Sequence, residues 1–377
     1  MNTVLHDLQP VQCWAYRDRG IGRYTADLAR AIDDVAPEHG VDVTFVVNEQ
    51  LGELDRVRAL GLERPVVTWD DVAGSSVDVL HTTGPMDPVP FEERRVPVDA
   101  RRQVVTCYDL IPLRFPDVYL TDPLGSARYR ARLGTLLAAD AIVTDSESAA
   151  DDLHELLGIA RARLTPVGGG CDERFRPPTD SLADRLARLR REVPAVRPGF
   201  VLGPTGWDWR KNNEGLVAAY ARLPIEVRRA HQLVIVAEAD AEHRDRIAAW
   251  SADHGLAAGE VVLTGHVADD VLVTLYQSTD LVVLPSRYEG FGLPVVEAKR
   301  CGAVVVCGDN SALREVLLEP LARFDADDVD QLGAVMLNAL TNEVFRSIVA
   351  DASVCDTSWN TVAGTVVSVY EQLLGGR

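Results

Sequence analysis

The sequence predicts two open α/β domains in tandem, each a largely parallel sheet with helices on both faces. Three observations carry that reading. Short β-branched runs alternate with helical patterns along the whole chain. Most of these runs are continuously apolar rather than alternating, as in strands buried on both faces. The alternation is broken once, near the middle, by paired prolines. The length, 377 residues, suits two domains of roughly 100–200 residues each.

Taken in order, the first half offers strands at residues 4–7, 43–47, 77–81, 104–107 and 141–144, with a helix over 24–32 after the first. The pattern then breaks at Phe175-Arg176-Pro177-Pro178, and a charged helical stretch over 181–192 follows, closed by Pro194 and Pro198. This predicts a first domain of residues 1–177, a linker of 178–197 and a second domain of 198–355. Strands in the second domain are predicted at 200–203, 233–237, 261–264, 281–284 and 304–307, with helices at 214–223, 241–254 and 268–277. The tail, 356–377, carries one amphipathic helix over 359–374, with Val362, Val366, Val369 and Leu373 on one face. In open parallel sheets ligands sit outside the carboxyl ends of the strands, so two such domains predict a site in the cleft between them.

Composition narrows the partners. A net charge of −19 argues against nucleic acid, whose phosphates require a basic surface, and favours solubility. No stretch reaches the ~18 consecutive apolar residues of a membrane span. The N-terminus lacks a basic segment followed by an apolar one, so it reads as the start of a cytoplasmic chain. The six cysteines are scattered, with no metal-ligand spacing, and read as buried free thiols. Arg185, Arg188, Arg190 and Arg191 crowd one helix and Arg128, Arg130 and Arg132 another. These arginines read as solvated faces, with peripheral contact to an anionic membrane as the second reading.

Three segments carry chemistry. Pro285-Ser286-Arg287-Tyr288-Glu289-Gly290-Phe291-Gly292-Leu293-Pro294 joins a strand to a helix, and Glu297 follows within that helix. Gly290 and Gly292 allow close backbone approach, Pro294 suits a first helical turn, and the free amides there attract an anion. A carboxylate beside a diphosphate contacts hydroxyls, which assigns Glu297 to a donor ribose and Glu289 to a donor sugar. Thr205-Gly206-Trp207-Asp208-Trp209-Arg210-Lys211-Asn212 follows the first strand of the second domain. Arg210 forks across two oxygens and Lys211 adds a compact charge, a pair suited to a diphosphate leaving group. Lys211 and Lys299 are the two lysines in a chain whose other cations are arginines. Finally, Arg19-Gly20-Ile21-Gly22-Arg23-Tyr24 reads either as a loop facing donor phosphate or acceptor, or as an ordinary strand-to-helix turn.

Together these segments resemble the retaining glycosyltransferases of family 4, which have the GT-B fold, and among them bacterial mannosyl- and hexosyltransferases of polysaccharide and O-antigen assembly. Glu289 to Glu297 matches the family's Glu-x7-Glu motif, 205–212 its phosphate-binding Arg-Lys-Asn turn, and 19–24 its N-terminal glycine loop. The resemblance spans nearly the whole chain. It implies two Rossmann-like domains with an interdomain cleft and a C-terminal helix, begun by Trp359, that crosses back to the first. It also implies a retaining reaction with no cofactor and no required metal, in which a nucleotide-diphosphate sugar serves as co-substrate. Arg210, Lys211 and the amides of Gly290, Phe291, Gly292 and Leu293 would hold the diphosphate, with Thr205, Gly206, Gly20 and Gly22 nearby. Gly265 and His266 would lie near the base. Mannose from a guanosine donor is the first expectation, with a polysaccharide, lipid-linked sugar or natural product as acceptor.

Two segments depart from the family pattern. Cys107-Tyr108-Asp109 stands where many relatives carry a histidine near the sugar. Either Tyr108 or Asp109 contacts the sugar, or Tyr108 is core and Asp109 caps a turn. Ser311-Ala312-Leu313-Arg314-Glu315 replaces a Ser-x-Leu-Pro-Glu sequence, and Ser311 reads as a helix N-cap. His81 is either a cleft residue or a satisfied histidine at a strand end. Competing activities on the same fold are a nucleotide-sugar epimerase, which needs no acceptor, a phosphorylase, which often carries pyridoxal phosphate on a lysine, and a non-catalytic sugar-nucleotide-binding subunit.

Overall fold

The computed structural model describes residues 3–18, 20–86, 98–355 and 357–375. The chain divides into two compact units, Met1–Gly170 with Thr357–Arg377, and Cys171–Asp356.

The first unit is built on β1 (Thr3–Asp7), β2 (Asp42–Val47), β3 (Val66–Thr68), β4 (Ser76–Thr83), β5 (Asp99–Cys107), β6 (Ala141–Thr144) and β7 (Leu164–Pro166). They form one sheet in the order β3-β2-β1-β4-β5-β6-β7. Every pairing is parallel, with Val4 opposite Val43 on one side and Val79 on the other. Side chains of successive residues leave opposite faces. Val4, Val104 and Val143 therefore join one core cluster, while Leu5, Val105 and Ile142 join clusters on the other face. Both faces being covered explains the continuous apolar runs.

The helices Gly20–Val35 and Trp359–Gly375 supply the first of these clusters, where Leu28 and Ile32 meet Val362, Val366, Val369 and Tyr370. Near its end this last helix is pinned by a buried polar knot. The Tyr370 hydroxyl pairs with His6 Nδ1 at 3.1 Å and His81 Nδ1 at 2.5 Å, and His81 Nε2 pairs with Thr106 Oγ1 at 2.7 Å. Burial drives the His6 pKa down to about 3, so the imidazole is neutral. At the helix start, a Cβ on Gly170 would lie 2.6 Å from the Trp359 ring, so only glycine fits beneath that indole.

The second unit is built on β8 (Phe200–Pro204), β9 (Gln232–Val236), β10 (Val261–Leu263), β11 (Leu281–Leu284), β12 (Val305–Gly308) and β13 (Arg323–Phe324). The sheet runs β10-β9-β8-β11-β12-β13 and is again parallel. The stretch 178–197, read from its prolines as a linker, contains the helix Leu182–Glu192, capped by Ser181 Oγ accepting from the Asp184 amide at 3.2 Å. Its Leu189, with Val193 and Val196 beyond it, packs into the core of the second unit. Apolar spacing in that helix outweighs the flanking prolines.

Two surface readings change. Arg185 is buried and donates to Asp180, which also pairs with Arg188, and Arg132 is buried as well, so neither arginine group is a uniformly solvated face. Five of the cysteines are buried free thiols, but Cys355 is exposed. Among the described residues no helix is long and apolar enough to cross a membrane.

Candidate active site

In the second unit the chain runs outward from β8 through β9 to β10, then crosses to the other side of β8 to form β11. The carboxyl ends of β8 and β11 therefore flank a switch point, where open α/β sheets bind ligands. Both chemistry-bearing segments of this unit leave from that point.

After β8, the Asp208 carboxylate accepts from the Arg210 amide at 3.0 Å and sets a 3₁₀ turn, Trp209–Lys211. Asn212 ends the turn at φ 54°, a left-handed position that asparagine tolerates, and the helix Asn213–Ala221 begins. The Asn212 amide group donates to Ala326 O at 2.7 Å, anchoring the turn. The geometry directs the adjacent Arg210 and Lys211 side chains to one place. There Arg210 Nη1 donates to Glu289 Oε2, and Lys211 Nζ to Glu289 Oε1, each at 2.6 Å.

Glu289 is 7% exposed. Burial alone would raise its pKa, but the charges of Lys211 and Arg210, with hydrogen bonds from Lys211 and Ser286, prevail and lower it from 4.5 to about 2. The carboxylate is therefore ionised. Ser286 Oγ donates to Oε1 at 2.6 Å, and the Glu289 amide donates to Ser311 Oγ at 2.9 Å. Ser311 sits in the loop after β12 at φ 38°, an uncommon position for a side-chain-bearing residue. It is not the helix cap expected: Ala312 precedes the helix Leu313–Val316. The turn after β11 and the turn after β8 are also joined directly, because the Arg287 amide donates to Arg210 O at 2.7 Å.

Gly292 caps the helix Leu293–Arg300 at φ 107°, and a Cβ there would lie 2.8 Å from Leu313. Glycine is required on both counts. Phe291 is buried in the core, while Gly290 and Leu293 are half-buried. Glu297 lies further along the same helix, buried, with Oε2 accepting from the Tyr276 hydroxyl at 3.2 Å. Thr205 and Gly206 stand half-buried at the end of β8, where Gly206 O accepts from Asn213 Nδ2 at 2.8 Å. Gly265, at φ 85°, and the exposed His266 follow β10, two strands from β8. Lys299 is committed elsewhere, donating to Val349 O and Ala350 O at the end of the helix Glu343–Ala350.

The candidates of the first unit fare differently. His81 is fully buried with both ring nitrogens paired, so it is a satisfied core histidine and no cleft residue. Tyr108 is also core: its hydroxyl pairs with Thr25 Oγ1 at 2.8 Å and its ring stands edge-on to Tyr24. Asp109 Oδ1 accepts from the Ile111 amide at 3.0 Å, a turn cap. Gly20 and Gly22 lie inside the helix Gly20–Val35, which starts four residues earlier than expected. A Cβ on Gly22 would sit 2.5 Å from Tyr16 O, so this glycine admits the preceding turn. Arg23 is half-buried on that helix, and Arg19 lies outside the described residues.

Two residues of the cluster, Ser286 and Ser311, were not expected there. Ser286 lies three residues before Glu289 in the same segment, a local signal. The contact of Ser311 with Glu289 depends on the pairing of β11 with β12 and had no local signal. Among the described residues, no group of three or more His, Cys, Asp or Glu could hold a metal ion.

Residues 201–352, which contain the whole Arg210–Lys211–Glu289 cluster, match the family "Glycosyl transferases group 1". Over 98% of its length the chain is 30% identical to the serotype-specific mannosyltransferase WbdA of Escherichia coli, of which it covers 48%. Over 74% of its length it is 28% identical to the O-antigen chain mannosyltransferase B of Escherichia coli, covering 72% of that protein. The chain thus spans about half the length of WbdA. Among solved structures, Anabaena Alr3699/HepE in complex with UDP and glucose superposes with a TM-score of 0.67 at 15% identity, over 100% of this chain and 98% of the other, a likeness of fold. The chain is thus two parallel-sheet units with the fold of that solved structure, and its second unit carries the match to the group 1 glycosyl transferases.

Proposed function

We propose that this chain is a retaining hexosyltransferase, with mannose the first candidate, that moves the sugar from a nucleotide diphosphate to a saccharide, lipid-linked or natural-product acceptor in the cytoplasm. The observation that carries the reading is the convergence of Arg210 and Lys211 at the switch point of a group 1 glycosyl transferase domain. The likeness to two mannosyltransferases supports mannose.

The chemistry follows from charge. As the bond to the anomeric carbon breaks, negative charge grows on the departing diphosphate and positive charge on the sugar. Fixed cations aimed at that oxygen lower the barrier, because they need no reorganisation as the charge develops. Arg210 and Lys211 are held by the turn and by each other's partner before any donor arrives. The amides of Gly292 and Leu293, at a helix start, add donors for phosphate. The departing phosphate accepts the acceptor's proton on the face it leaves, which retains configuration. Two side chains thus supply the charge that a divalent cation supplies elsewhere, and we assign the reaction no metal.

The test is to incubate the protein with GDP-mannose, UDP-glucose and a mannoside acceptor in the presence of a chelator. Expected are nucleoside diphosphate release, an extended saccharide and an anomeric centre of unchanged configuration by NMR. Conversion of the sugar nucleotide without acceptor would point to an epimerase instead, and dependence on an added metal would remove the assigned role of the two cations.

A further inference from the structure

The seat that the proposed function gives to an anion already holds one. Arg210, Lys211 and Ser286 each present a donor to the Glu289 carboxylate at 2.6 Å. A diphosphate draws on the same Arg210 and Lys211 donors. Arg210 and Lys211 are each one-fifth exposed, so this face of the pair opens toward solvent, whereas the Glu289 side chain is 9% exposed. Two adjacent cations left without a counter-charge would repel each other, and the carboxylate cancels that repulsion.

The backbone of Glu289 has an anchor of its own apart from the carboxylate: its amide donates to Ser311 Oγ at 2.9 Å. The carboxylate can therefore leave the cations by side-chain rotation, provided the diphosphate replaces the contacts it gives up to Arg210 and Lys211. We propose that Glu289 is a resident counter-anion which the donor's diphosphate displaces from Arg210 and Lys211. The released carboxylate then meets the sugar hydroxyls, and its return helps expel the diphosphate product. The inference rests on the reading of the donor as a nucleotide-diphosphate sugar.

The experiment is calorimetric titration of wild type and Glu289→Gln with inorganic pyrophosphate, GDP and UDP. Glutamine keeps the shape and removes the competing charge. The dissociation constant of the bound diphosphate is expected to fall by about tenfold or more in the variant, the scale of a close charge pair, while turnover falls. Titrations repeated near pH 5 in two buffers of different ionisation heat read proton uptake. The wild type is expected to take up more than the variant, because a carboxylate freed from two cations protonates more readily.

Equal or weaker binding by the variant, or equal proton uptake, overturns the displacement and leaves the donor assignment standing. A wild-type protein that binds none of the diphosphates overturns the donor assignment and the displacement together. Should the variant be too unstable to titrate, its rise in melting temperature with pyrophosphate must exceed that of wild type; a smaller rise overturns the displacement.

Discussion

Arg210 and Lys211 are neighbours in sequence and reach opposite oxygens of one carboxylate because a 3₁₀ turn, closed by Asp208, places both side chains on the same side of the loop. Replacing either by alanine is expected to lower kcat by about 10²–10³, the range for loss of a charge-stabilising donor. Steady-state kinetics with the identified donor checks this, and near wild-type turnover in both variants would remove them from the chemistry. Glu289 contributes to stability through the same contacts. Its folded pKa, about 2, lies below its ordinary value of 4.5, so the contribution is complete above pH 4.5 and is lost as pH falls toward 2. It amounts to at most about 3 kcal/mol. Acid unfolding of Glu289→Gln should lack that loss; an unchanged profile would show that the pair adds no pH-linked stability. At this scale the sequence was informative where chemistry was local. Arg210, Lys211 and Glu289 were singled out from residue type and position after a strand, and the structure brings them together, but the pairing of Glu289 with both cations was not foreseen. Tyr108, Asp109 and His81 were not, because whether a polar side chain at a strand end faces solvent or core depends on a distant partner, Thr25 or Tyr370.

At the scale of elements, the central strands and the edge strand β10 were legible and the other three edges were not. β1, β4, β8 and β11 announce themselves as apolar runs because helices cover both faces. β3, β7 and β13 lie at sheet edges with two or three residues each, too few for a periodic signal. The glycines at 20 and 22 suggested a loop; the chain instead uses Gly22 to let a turn pass against a helix start. The polar knot between Tyr370, His6 and His81 carries two predictions. Tyr370→Phe strips a hydroxyl from two buried imidazoles and is expected to cost about 1–3 kcal/mol, measured by denaturant unfolding; a change under 0.5 kcal/mol would deny the knot a structural role. His6 is neutral in the fold, with a pKa near 3 against 6.5 when unfolded. The unfolded chain therefore binds the proton first, and stability declines as pH falls below 6.5 toward 3. His6→Phe should flatten the stability profile between pH 6.5 and 5, well above the range in which Glu289 acts.

On the scale of the whole molecule, the first unit is discontinuous: Met1–Gly170 is completed by Thr357–Arg377. Val362, Val366, Val367, Val369 and Tyr370 are all buried in it. At roughly 1.5–3 kcal/mol for each large apolar side chain, they supply a contribution comparable to the roughly 5–15 kcal/mol total of a typical domain. A chain ended at residue 356 is expected to lose the cooperative melting of the first unit and retain that of the second, by calorimetry and limited proteolysis. Survival of both transitions would show the helix to be dispensable. The same layout fixes an order of events at the ribosome. Synthesis at ~5–20 residues per second delivers the second unit over tens of seconds, during which the first sheet's core on the side of the helix Gly20–Val35 lacks the side chains of Trp359–Gly375. Within this chain the first unit is thus completed only after the second has been made, and a chaperone that shields Leu28 and Ile32 until the helix Trp359–Gly375 emerges would act during that interval.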